Sequence, residues 1–169
     1  MDAQGQELPA GEMGEIWIKG PMVVKGYWDN PQATTDNFTA GFWHSGDLGS
    51  IDAQGYVRVH DRIKDMINRG GYKIYTIEME NALYEHPDVV ESAVVAKPCP
   101  VLGERVHAFV TLRQDGTSEA LLREHCAQRL SDYKVPESIT LSTTPLPRNA
   151  NGKVLKRALR DQLTPNPPA

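Results

Sequence analysis

The segment Val89-Val90-Glu91-Ser92-Ala93-Val94-Val95-Ala96 constrains the fold more than any other stretch of this 169-residue chain. Valine is β-branched and packs well on a pleated surface, so a run this rich in it reads as a central strand. Residues 66–68, 73–75, 106–112 and 136–141 also read as extended, with Arg69-Gly70-Gly71-Tyr72 as a turn between the first two. Helices lie among them. Thr76 fits the N-cap of one whose apolar positions Met79, Ala82, Leu83 and His86 recur about once per turn until Pro87 ends it. Two more are expected over about 119–130 and 155–163, the last after a long loop at 143–153. Strands and helices mix here without strict β-α-β alternation, which favours an α+β class: a short mixed or antiparallel sheet flanked by helices.

The first sixty residues have a different texture. Glu15-Ile16-Trp17-Ile18-Lys19 is strand-like and Gly20-Pro21 stops it. Asn30-Pro31 fits an N-cap followed by proline at the first helical position, opening a short helix to about Phe38. Residues 42–44 and 48–51 are strand-like, and Asp52-Ala53-Gln54-Gly55 turns the chain into Tyr56-Val57-Arg58-Val59 as a hairpin partner. The expected organisation is a small β-rich subdomain at 1–60, a connector at 61–65, an α+β domain at 66–163 and a frayed, disordered tail at 164–169.

Charge narrows the function. Eighteen Lys and Arg against 22 Asp and Glu leave −4, which argues against a general nucleic-acid binder. Residues 1–60 carry three basic and eight acidic side chains, whereas 148–160 hold Arg148, Lys153, Lys156, Arg157 and Arg160 with no acid. That cluster fits either the solvated face of a terminal helix or a tail that meets a phosphate-bearing ligand. No apolar run approaches the roughly 18 residues that span a bilayer, and the polar N-terminus does not resemble a signal peptide, so the expected compartment is cytoplasmic. Cys99 and Cys126 form no C-x-x-C, and the five histidines offer no metal set.

Four places carry candidate chemistry. Trp43-His44-Ser45-Gly46-Asp47 puts a carboxylate after a glycine on a tight turn between strands, where it could accept hydrogen bonds from a diol or be an ordinary turn aspartate. Asp61-Arg62-Ile63-Lys64-Asp65 is a dense charge cluster. Arg62 has the planar donor fork that suits sugar or phosphate, Asp65 sits where a hinge would absorb rotation, and a plain solvated connector fits the cluster too. Gly70-Gly71 allows close backbone approach to a ligand or makes a simple turn. Pro147-Arg148-Asn149-Ala150-Asn151-Gly152-Lys153 presents Lys153 from a mobile loop, where a flexible ammonium could reach an anionic transition state or simply face solvent. No P-loop, dinucleotide fingerprint or nucleophile elbow occurs.

In order and spacing these segments, together with Gly14-Glu15-Ile16-Trp17-Ile18-Lys19-Gly20, Val24-Lys25-Gly26-Tyr27-Trp28 and Glu78-Met79-Glu80, strongly resemble the AMP-forming acyl-CoA synthetases of the adenylate-forming superfamily. The resemblance covers about residues 5–163. It implies a carboxylic acid substrate that attacks the α-phosphate of ATP, then thioester formation with CoA after the small C-terminal domain swings. By motif it implies that Asp47 binds the ribose hydroxyls with Arg62 in support, that Asp65 is the hinge, that Gly70 and Gly71 line the pantetheine channel, and that Lys153 stabilises the adenylation step. Ser45 stands where threonine is usual, Asp61 where glycine is common and Thr76 where proline is usual; none removes a required charge.

The resemblance also implies an absence. The family's phosphate loop, acyl pocket and magnesium-holding glutamate belong to a large N-terminal AMP-binding domain, of which this chain carries only the last β-rich subdomain. The chain therefore reads as the C-terminal part of a synthetase that uses ATP, CoA and Mg2+, and is not expected to be active alone. Two alternatives stand beside it: an adenylation domain that loads a carrier protein, and a non-catalytic remnant serving as an interaction module.

Overall fold

In the computed structural model, which describes residues 1–2 and 4–163, the backbone divides into two units, Met1–Lys64 and Asp65–Ala169. The division falls four residues beyond the boundary expected at 60, because Asp61 and Arg62 remain paired in a strand. The tail expected at 164–169 lies outside the described residues.

The first unit contains β1 (Gly14–Ile18), α1 (Pro31–Asn37), β2 (Phe38–Thr39), β3 (Phe42–Ile51) and β4 (Val57–Arg62). Helix α1 starts as its residues dictate: the Asn30 side chain accepts from the Ala33 N–H at 3.0 Å, and Pro31 occupies the first turn, where its missing donor costs nothing. β3 organises the antiparallel sheet, with β1 on one edge and β2 and β4 sharing the other. The two strand pieces and intervening turn expected over 42–51 are one strand. The turn expected at 45–47 is instead a bulge opposite β1, and pairing to β4 begins at its last residue, Asp47.

The second unit contains β5 (Ile67–Arg69), β6 (Tyr72–Ile74), α2 (Thr76–Tyr84), β7 (Val89–Cys99), β8 (Gly103–Leu112), α3 (Glu119–Ala127), β9 (Ser138–Ser142) and α4 (Lys156–Asp161). The sheet order is β6-β5-β8-β7, with β9 parallel to β8 and the other pairs antiparallel. This is the α+β class expected. The valine-rich run, however, is not central: β7 pairs with β8 alone, whereas β8 and β5 each have neighbours on both edges. Its apolar character comes from burial on both faces. Val89 and Val94 join the larger core with Met79, Leu83, Leu122 and Cys126, while Ala93 and Val95 join Phe109, Leu146 and Leu159 opposite. The outer edge of β7 is covered by side chains, since Glu80 Oε1 accepts the Val94 N–H at 2.8 Å.

Helix α2 begins at Thr76 with Tyr75 at the cap position, rather than with Thr76 as its cap. Thr76 is fully buried and its hydroxyl accepts from Lys156 Nζ at 2.8 Å. Tertiary contact has taken over the side chain that the local pattern assigned to capping.

Candidate functional site

The candidate residues fall in separate places within the two units. In the first, Asp47 and Arg62 face each other across the β3–β4 ladder, and Arg62 Nε donates to Asp47 Oδ1 at 2.9 Å. The sequence named these residues from different motifs; strand register brings them together. Their side chains are 32% and 46% exposed, and ion pairs that wet contribute at most about 1 kcal/mol to stability. The fold therefore gains little from the pair, and both groups remain open to a ligand.

Asp47 is not on a turn between strands, as expected, but on the bulge. Between the pairs Glu15↔Leu48 and Trp17↔His44, β1 contributes Ile16 alone and β3 contributes Ser45, Gly46 and Asp47. Gly46 has φ +71°, a region costly for any residue with a Cβ. Ser45 Oγ accepts the Asp47 N–H at 3.0 Å, a bond that threonine could make equally well. His44 stacks on Trp17 with ring centroids 3.9 Å apart, and its Nε2 is buried without a partner among the described residues. A cavity of ≈ 420 Å³ opens beside them, lined by Glu15, Tyr27, Trp43, His44, Arg62 and Lys64 among others.

Residues 61–65 are less of a free connector than the sequence suggested. Asp61 and Arg62 close β4, and Ile63–Asp65 form one 3-10 turn. Asp65 belongs to the second unit, where its carboxylate is only 10% exposed and bonded to Arg160 of α4 at 2.9 Å.

Gly70 and Gly71 form the two-residue loop of the β5–β6 hairpin, closed by the Arg69↔Tyr72 pair. Their φ values of +57° and +93° are the two positive angles of a type I′ turn. The Gly70 N–H donates to the Leu102 carbonyl at 2.8 Å and the Gly71 N–H to Asn68 Oδ1 at 3.1 Å. Hairpin geometry is thus reason enough for both glycines.

Lys153 ends a braced hairpin rather than a slack loop. Asn149 Oδ1 accepts from the N–H groups of Asn151 and Lys153, and Arg148 and Val154 form an isolated bridge. Arg148 also donates to the Gly152 carbonyl and pairs with Glu91. The Lys153 side chain is exposed and makes no ion pair among the described residues. The other cations of this cluster are largely committed: Arg148 to Glu91, Lys156 to Glu80 at 2.6 Å and Arg160 to Asp65. Lys153 and Arg157 are exposed, whereas Arg148, Lys156 and Arg160 serve internal anchoring.

Sequence reasoning gave no role to Glu15, Glu80 and Glu91, whose carboxylates accept from the main-chain N–H groups of Gly46, Val94 and Leu146. Each lies in a segment otherwise read as strand or helix. An acid inside an apolar pattern was the available signal. Cys99 is also better placed than its isolation suggested: Sγ accepts from Arg105 Nε at 3.1 Å, and the N–H groups of Leu102 and Val101, with Arg105, lower its pKa. Burial pushes Cys126 up to about 11. Among the described residues no three His, Cys, Asp or Glu side chains gather as a metal site, and no helix is long and apolar enough to cross a membrane.

With this geometry in hand, comparison with known proteins is specific. Residues 78–153 match the AMP-binding enzyme C-terminal domain, and the curated relatives that the chain resembles are acyl-CoA and acid–CoA ligases. It is 38% identical over 162 residues to a long-chain-fatty-acid–CoA ligase of Escherichia coli O6:H1 (strain CFT073), covering 96% of this chain and 29% of that protein. It is 44% identical over 159 residues to feruloyl-CoA synthase of an Amycolatopsis species, covering 92% of this chain and 32% of the relative. Among solved structures, ATP-bound MatB from Rhodopseudomonas palustris superimposes with a TM-score of 0.88 at 40% identity, over 95% of this chain and 32% of that one. The chain thus spans about a third of the length of the relatives it matches.

Proposed function

We propose that this chain is the nucleotide-closing and lysine-bearing part of an ATP-dependent acid–CoA ligase. The reaction is carboxylate plus ATP to acyl-adenylate and pyrophosphate, then transfer of the acyl group to the thiol of CoA. The observation that carries the reading is the exposed, unpaired Lys153 ammonium at the end of a rigidly bonded hairpin. A positive group with no internal countercharge, held by backbone bonds, suits stabilisation of charge developing on a phosphate.

In this reading Asp47 accepts hydrogen bonds from the ribose hydroxyls, and Arg62 orients it through the bond at 2.9 Å. Asp65 is the hinge about which residues 66–163 turn between the two half-reactions. Gly70 and Gly71 then border the pantetheine channel, where residues without Cβ leave room for a thin chain. The acyl pocket, the phosphate loop and the ligands of Mg2+ come from an N-terminal AMP-binding domain, so the chain alone does not adenylate. The partners are accordingly ATP, CoA, a small carboxylic acid and that domain, and not nucleic acid; the compartment is the cytoplasm.

The test joins the chain to an N-terminal AMP-binding region and follows both half-reactions. Lys153→Ala should reduce adenylate formation by about three orders of magnitude, while thioester formation from supplied acyl-adenylate largely survives. Equal loss in both steps would refute the assignment of Lys153. Thioester on a carrier protein instead of CoA would favour the carrier-loading alternative, and inactivity with every acid the non-catalytic one.

A further inference from the structure

The bulge in β3 creates a hydrogen-bonding problem that one side chain solves. Three residues of β3 oppose one of β1, so the β1 ladder cannot satisfy every main-chain donor at positions 45–47. Leaving such a donor unpaired away from water costs about 1–3 kcal/mol. Gly46 N–H donates instead to Glu15 Oε1 at 3.1 Å. The other oxygen, Glu15 Oε2, accepts from Trp17 Nε1 at 2.9 Å. Trp17 in turn lies flat on His44, the residue before the bulge.

One half-buried carboxylate therefore holds three things at once: strand β1, the apex of the bulge and the aromatic pair at its base. Bonds of this kind, with a charged acceptor, are stronger than neutral ones. A glutamine could not replace it fully, because its single amide oxygen cannot serve two donors that approach separate oxygens. A backbone glycine at φ +71° has no side chain of its own to hold it. The Glu15 contact supplies that restraint one residue before Asp47.

We propose that Glu15 is a positioning residue for Asp47: its grip on Gly46 and Trp17 sets the bulge conformation that aims the Asp47 carboxylate at Arg62. The consequence for nucleotide binding rests on the ribose-binding role given to Asp47 above. The hold on the bulge itself does not.

Two arms separate these claims. In the first, the 15N-labelled chain is compared by NMR with Glu15→Gln and Glu15→Ala. In Glu15→Ala the Gly46 amide and Trp17 indole resonances should both move, and Arg62 Nε–H should exchange about tenfold faster or more, while residues 66–163 keep their spectrum. In Glu15→Gln one of the two donors should lose its partner and the other keep it, which settles the matter even if the alanine variant fails to fold residues 1–64. Gly46, Trp17 and Arg62 signals all unchanged in Glu15→Gln would overturn the proposal.

The second arm measures ATP KM and thioester kcat in the chain joined to an AMP-binding region. Glu15→Gln and Asp47→Asn should both raise ATP KM, with the thioester step from supplied adenylate affected less. If Asp47→Asn raises KM and Glu15→Gln does not, the positioning role is wrong and the nucleotide reading stands. If Glu15→Gln moves the Gly46 signal but neither variant changes KM, the bulge restraint stands and the ribose role of Asp47 falls.

Discussion

Lys156→Met offers the most direct check on how the lysine-bearing segment is anchored. Lys156 opens α4, three residues after Lys153, and its Nζ lies 2.6 Å from Glu80 Oε1 and 2.8 Å from Thr76 Oγ1. Glu80 also accepts the Val94 N–H at the outer edge of β7, so this ammonium ties α4 to α2 and to the sheet. The two charged side chains are 18% and 17% exposed, and Thr76 is fully buried. Removing one partner of a wholly buried pair costs about 3–5 kcal/mol, and partial solvent contact lowers this to about 2–3 kcal/mol here. For a unit of about a hundred residues each kcal/mol moves Tm by about 4–8 °C, so a fall of about 10–20 °C is expected. All three tryptophans lie within residues 1–64, so far-UV circular dichroism rather than tryptophan fluorescence should follow the loss. Lys156→Met combined with Glu80→Gln should recover more than half of it, because the stranded carboxylate is gone. A single variant within about 0.5 kcal/mol of the parent, or a double variant showing the sum of both losses, would refute the anchoring argument.

Three further outcomes are expected. His107 is 4% exposed, with Nδ1 2.7 Å from Ser138 Oγ and Nε2 3.0 Å from Thr140 Oγ1. Burial, with the charge of Lys97, lowers its pKa from 6.5 to about 4. Its neutral form is the folded form, so this contribution is complete above pH 6.5 and is lost as pH falls from 6.5 towards 4; it amounts to at most about 3 kcal/mol. Urea unfolding at pH 7 and pH 4 should show a smaller acid loss in His107→Leu than in the parent, and equal losses would contradict the assignment. Gly71→Ala should cost about 1–2 kcal/mol although its Cβ would meet nothing within 4 Å, since φ +93° disfavours any L side chain; a cost under about 0.3 kcal/mol would show that the hairpin tolerates another turn. Lys153→Ala should leave thermal stability within about 0.5 kcal/mol, and a larger loss would mean that the side chain has an internal structural role.

Much of the local structure was legible because it depends on residues that are neighbours in the chain. Asn30-Pro31 caps and opens α1 through a bond spanning three residues. Asp52 turns β3 into β4 by accepting from the N–H groups of Gln54 and Tyr56, and Gly55 takes φ +88°. The ends of the helices were read less well. The helix expected to about residue 130 stops at Ala127, and the one near 155–163 spans only Lys156–Asp161, because apolar positions continue past the last helical turn to pack on the cores.

The candidate site divides in the same way. Its motifs and their order were in the sequence, and the matched family is the one they resembled. Their physical states were not. A valine run reports burial on two faces but not how many strands lie alongside it, so the central position passed from β7 to β8. The bulge behind Asp47 arises from register between β1 and β3, segments that local propensity treats separately.

The chain by itself determined the cap of α1, the turn at Asp52–Gly55 and the Gly70-Gly71 hairpin turn, since those energies are set within a few residues. Only the folded units decided which charges are occupied. Arg148 meets Glu91 across 57 positions, Lys156 meets Thr76 across 80 and Arg160 meets Asp65 across 95. Such pairs form when packed elements bring distant side chains into low-dielectric contact, a condition no short window of sequence contains. Lys153 differs from these three because that packing gives it no acid.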